Sequence, residues 1–166
     1  IFVLLLRLIF MAYQNPNLAR AVGLESGFPL IGYRSVAKNL ELTADNAEDI
    51  GNIALDATDN TLDVDGSTMR RIREFTDQVD EITATAVEAV VERDYDKAIA
   101  VGRMYEEITD REMELIRSLP DMPKVELLRT REVLVSLQQT AQYAMRNAEI
   151  AANLALNEES EHVTIE

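Results

Sequence analysis

The 166-residue chain has no cysteine and a single histidine, His162. The missing thiols exclude disulfides, thiolate zinc sites and cysteine nucleophiles, and they fit a reducing interior. One imidazole in an acidic tail gives a His-based triad or a carboxylate–histidine di-iron site almost nothing to draw on. His162 reads as incidental. Tryptophan is absent and aromatics make up 5%, while four prolines and six glycines leave long uninterrupted segments. No segment alternates as a half-buried strand does, so packed helices are expected. Lysine is also scarce, with three against thirteen arginines.

Acid is what the chain has in excess. Thirty Asp and Glu against sixteen Lys and Arg give a net charge of −14. Binding phosphate backbones needs a cationic face, so no direct nucleic-acid binding by this chain is expected. An anionic membrane surface is disfavoured for the same reason, whereas a cation or a basic protein surface is compatible. The excess reads equally as a salt-adapted surface or as an ordinary acidic cytosolic protein, because net charge acts on solubility rather than fold. Apolar residues at 47% argue against disorder, and the length suffices for one domain with a sizeable core.

The opening IFVLLLRLIFMA is apolar but covers only twelve residues and includes Arg7. That is too short for a membrane span, and it has neither the basic start nor the small-residue cleavage site of a signal peptide. It reads as the last turns of a buried core helix, with a membrane or secretion segment as the alternative. No membrane insertion is expected.

Five main helices follow from the periodicity: 1–14, 30–59, 67–92, 96–119 and 124–157. Asn15 is placed as an N-cap with Pro16 at the first helical position of a short helix. Gly23–Pro29 and Asn60–Gly66 read as loops, Ser67 as a cap and Arg93–Tyr95 as a tight turn. The inward positions expected in the third and fourth main helices include Val79, Ile82 and Val90, then Ile99, Ile108 and Leu115. Residues 158–166, EESEHVTIE, read as a frayed acidic tail.

The helix over 30–59 draws most attention. Its polar side stacks Glu41, Asp45, Glu48, Asp49 and Asp56. Glu41 and Asp45 are one turn apart on one side, a spacing at which two hard oxygen ligands can share a cation. The opposite side carries Val36, Leu40, Ala44, Ala47, Gly51 and Ala54, small enough for another helix to approach closely. Shifted by 97 residues, this helix matches the last one. Arg34 falls on Arg131, Val36 on Val133, Leu40 on Leu137, Ala44 on Ala141, Ala47 on Ala144 and Ala54 on Ala151. The shared positions suggest two related three-helix units, residues 1–59 supplying two helices of the first and 67–157 the whole second. The acids are not shared: Glu41 falls on Gln138 and Asp45 on Gln142. A cation site is therefore expected in the first unit only.

The run Arg34-Ser35-Val36-Ala37-Lys38-Asn39-Leu40-Glu41-Leu42-Thr43-Ala44-Asp45-Asn46-Ala47-Glu48-Asp49-Ile50 resembles the third helix of a repeat in the PhoU family of phosphate-uptake regulators, especially the archaeal members. The family pattern is roughly R-x-V-A-K-x-[LI]-E-R-I-A-D-H-A-x-x-I, and the preceding NPNLARAVGLES resembles the link between the family's second and third helices. The resemblance extends weakly over the rest of the chain, the first repeat lacking its opening helix. It implies an all-α antiparallel bundle of two pseudo-symmetric three-helix repeats in a cytoplasmic, non-enzymatic regulator. It also implies contact with a phosphate transporter or signalling protein, and metal binding through E/D-x-x-x-D motifs. Only Glu41 and Asp45 match that motif. The implied ion is a divalent or transition metal such as Fe, Zn, Ni, Mn or Mg. The family's Arg-Ile after the Glu is Leu42-Thr43 here, its His is Asn46, and the second motif is Gln138 and Gln142. A homo-oligomer is expected, because a core helix without its neighbour leaves apolar surface open. The alternative function is an acidic helical interaction or scaffold module with no link to phosphate.

Overall fold

Every element among the described residues is a helix, and the breaks between them have local causes. The computed structural model describes residues 2–21, 28–59 and 64–161, which form six α-helices and no strand. They are α1 (Phe2–Gln14), α2 (Pro16–Ala21), α3 (Phe28–Asp59), α4 (Gly66–Glu92), α5 (Tyr95–Arg117) and α6 (Lys124–Glu161). Ile1, most of both loops placed at 23–29 and 60–66, and the tail from His162 onward lie outside the described residues. Residues 158–161, expected in the frayed tail, continue α6 instead.

Asn15 caps α2 as expected: its Oδ1 accepts from the backbone N–H of Asn17 and Leu18 at 3.1 and 3.3 Å. The cap of α4 is Asp65, not Ser67. Asp65 accepts from the N–H of Ser67 and Thr68 at 2.8 and 3.0 Å and from both hydroxyls. Those bonds, the Ser67 hydroxyl foremost, hold its carboxyl well below the usual carboxylate range. Between α4 and α5, Arg93 adopts the left-handed conformation at φ 52° and Asp94 caps α5 by accepting from Lys97 N. The Lys97 ammonium then reaches Glu88 and Glu92, both at 2.8 Å, which raise its pKa above the ordinary lysine range.

The tight turn folds α5 back along α4, and α6 returns beside both. Their shared core holds Phe75, Val79, Ile82 and Ala86 from α4, Val101, Ile108 and Leu115 from α5, and Leu134, Ala141 and Ala148 from α6. Ile99, expected inside, is 42% exposed; Val101, two residues on, takes the buried position.

Helix α3 lies antiparallel on α6. Gly32 abuts Leu154, Asn39 bonds Asn147, Asn46 bonds Thr140, and Ile53 lines a small cavity with Val133. Each step of seven along α3 is met by a step of seven backwards along α6, the heptad spacing of a coiled-coil-like seam. A Cβ at Gly32 would stand 3.0 Å from Ile150 Cγ2, so that side chain would have to give by a few tenths of an ångström.

Two expectations are corrected. Of the small side of α3, Val36 is buried as expected, but Leu40, Ala44, Ala47, Gly51 and Ala54 are exposed, and Asn39 and Asn46 are buried in their place. The packed side is set by the positions that meet α6, and two of them are asparagines. The matching residues of α6, Leu137, Ala141, Ala144 and Ala151, are buried because α4 and α5 cover that helix. Second, α1 is not buried. Among its described residues Ala12 alone is buried, because the rest of the helix has only α2 and one side of α3 against it.

Gly51 sits mid-helix with nothing within 4 Å of where a Cβ would stand. Gly51→Ala should therefore raise stability by about 0.5–1 kcal/mol through reduced freedom of the unfolded chain. Thermal unfolding should move up by roughly 2–4 °C per kcal/mol for a chain of this size. A lowered midpoint would mean this face is covered in solution.

Candidate functional site

The acidic side of α3 and the seam beside it form the candidate site. Helix α3 presents Asp45, Glu48, Asp49 and Asp56 to solvent, with Glu41 half-buried. The helical spacing that turns Asn39 and Asn46 onto α6 turns Glu41, Asp45 and Glu48 away from it, while Asp49 and Asp56 stand to the side. The two amide bonds fix the rotation of α3: Asn39 Nδ2 donates to Asn147 Oδ1 at 2.8 Å, and Asn46 Nδ2 donates to Thr140 Oγ1 at 3.1 Å.

Glu41 has a protein partner. Its carboxylate receives the Lys38 ammonium at 2.6 Å, one turn back on the same helix. That ammonium also stands 5.4 Å from the centre of the Phe2 ring, which ties α3 to the start of α1. Asp45 lies one further turn along. No group of three or more Asp, Glu, His or Cys side chains suited to an ion forms among the described residues. The local donor set is thus two carboxylates, one already neutralised by Lys38. It does not fit a multinuclear metal cluster. A single divalent ion on this pair would take most of its shell from water or from another chain.

Beyond Asp45, an open groove of about 550 Å³ runs between α3 and α6. Asp49, Asn52, Ile53 and Asp56 line it from α3, and Leu128, Arg131, Glu132 and Val135 line it from α6. Two members of the acidic ladder therefore belong to this groove and not to the Glu41–Asp45 pair. Arg34 and Arg131, aligned by the internal match, are not brought together: Arg131 lies at the groove and Arg34 is exposed elsewhere on α3.

Sequence reasoning missed the buried amides. The signal was present, since Gly32, Asn39, Asn46 and Ile53 recur at sevens, but a search for apolar stripes passes over asparagine. It also missed the tie between Arg93 and Tyr33, whose hydroxyl accepts from the guanidinium at 3.2 Å. Residues sixty apart in sequence leave no local pattern.

Comparison with protein-family models, with curated proteins and with solved structures gives no match. No described helix is long and apolar enough to cross a membrane.

Proposed function

We propose that the chain is a non-enzymatic, cytoplasmic regulator of phosphate uptake that acts through contacts with a transporter or signalling protein. The observation that carries this reading is the stretch Arg34–Ile50. The residues that resemble the PhoU pattern lie within one continuous helix, α3, seated on a second long helix with its carboxylates outward. An outward acidic helix face on an all-helical body suits recognition of a basic protein surface, where charge mainly speeds encounter and selects partners. Glu41 and Asp45 remain the residues proposed to meet a cation at that contact, the partner or water completing its shell.

The test is genetic. Loss of the encoding gene should change phosphate uptake, or expression of phosphate-starvation genes, in the organism that carries it, and the intact gene should restore both. Complementation with Glu41→Ala/Asp45→Ala measures what the carboxylate pair adds. Uptake and starvation response unchanged by deletion, in rich and in poor phosphate, would refute the phosphate reading. The alternative of a scaffold module unrelated to phosphate would then stand, and the exposed apolar α1 is the observation that favours it.

A further inference from the structure

Two features of the molecule are left without a role, and they are complementary. The first is α1. Seven of its large apolar side chains are between 36% and 69% exposed, among them Leu4, Leu8, Phe10 and Met11. Together they leave on the order of 700 Å² of apolar surface, close to the roughly 800 Å² that each partner contributes to a stable interface. Helices α1 and α2 carry Arg7 and Arg20 and no carboxylate at all, in a chain of net charge −14. The second feature is the groove between α3 and α6. Its apolar lining includes Ile53, Leu128 and Val135, and its charged lining is Asp49, Asp56 and Glu132 against the one cation Arg131.

We propose that the groove between α3 and α6 receives helix α1 of a second copy of this chain. The fit is one of length, polarity and charge. A helix of 13 residues is about 20 Å long, and the groove follows α3 over two turns and α6 over three, about 17 Å. The apolar side chains of α1 meet the aliphatic residues of the groove, and exposed Arg7 meets its acid-dominated lining. A helix laid by its apolar side chains into a surface groove is a common mode of recognition. Exchange of α1 about a two-fold axis fills both grooves and covers both exposed helices, so the assembly closes at two copies. The acidic surface also selects this occupant over an anionic lipid surface, which the body of the molecule repels.

The absence of cysteine makes the test clean. Leu8→Cys and Val135→Cys, both at exposed positions, are prepared separately and mixed under mild oxidation. The expected result is a dimer by light scattering, with the disulfide forming predominantly between the two different variants. Asp49→Lys/Glu132→Lys should weaken association roughly tenfold at moderate salt, and Arg7→Glu in the same chain should restore it. All these positions are exposed, so an unchanged circular dichroism spectrum and melting midpoint serve as the control for folding. A monomer at high protein concentration overturns the proposal, and so does a disulfide that forms only between Leu8→Cys chains, which would place α1 against α1. Charge reversal at the groove without effect on the dimer overturns it as well. None of these results depends on phosphate, so this proposal and the functional one fail separately.

Discussion

Phe75→Ala should lower the unfolding free energy by about 3–5 kcal/mol, the range for removing a fully buried aromatic ring. Phe75 has no solvent exposure and is among the largest fully buried side chains. It sits on α4 within the cluster that joins all three helices of the α4–α5–α6 unit. The chain has few aromatics with which to refill the space, since the interior around it is largely Val, Ile and Ala. Rigid helices collapse only partly around such a hole, so the lost transfer energy and the cavity both count. A domain is stable by only about 5–15 kcal/mol, so the variant should retain about half of its stability. Denaturant unfolding should show a lower midpoint with an unchanged slope. Val91→Ala on the same helix, where valine is 75% exposed, should stay within about 0.5 kcal/mol of the parent. Equal losses at the two positions would contradict the packing described.

The seam between α3 and α6 gives the second large effect, and one with a sign change. Asn39 and Asn147 are 8% and 2% exposed, and the Asn39 amide N–H donates to the Asn147 side-chain carbonyl. Asn39→Leu alone strands the Asn147 amide in a dry contact and should cost about 1–3 kcal/mol. Asn39→Leu/Asn147→Leu removes both polar groups and should recover most of that loss or exceed the parent. The double-mutant cycle should therefore show coupling well above the sum of errors. A polar pair inside a helix seam fixes which layers face each other, so the double variant should hold its stability while its register loosens. Cross-linking along the seam reads that directly. An Asn39→Leu variant as stable as the parent would mean that the two amides do not meet in solution.

The helices themselves were legible, because long periodic stretches and Asn, Asp and Pro at their starts act locally. The cap of α4 was misplaced by two residues because Asp65 and Ser67 are both good caps, and only the backbone direction decides between them. The packed side of α3 was not legible. Small residues at Ala44, Ala47 and Gly51 form a stripe that looks like a contact, but α6 meets the stripe of Gly32, Asn39, Asn46 and Ile53 instead. Likewise the apolar sequence of α1 signals a need for cover, and whether a helix is covered depends on which neighbours reach it. For the candidate site, the i,i+4 spacing placed Glu41 and Asp45 on one side correctly. The spacing of Lys38 to Glu41 was equally readable, and it is the reason the pair is less open to a cation than its charge suggests.

The partner of Asn39 lies 108 residues further along the chain. During synthesis at about 5–20 residues per second, α3 therefore leaves the ribosome roughly 5–20 seconds before the amide it must meet. The hairpin of α4 and α5 has its contacts at hand and can close at once, whereas α3, with the apolar α1 ahead of it, must wait for α6. The seam that fixes the rotation of α3 is thus the last part of the molecule to form, and the interval before it closes is when a nascent chain most needs a chaperone.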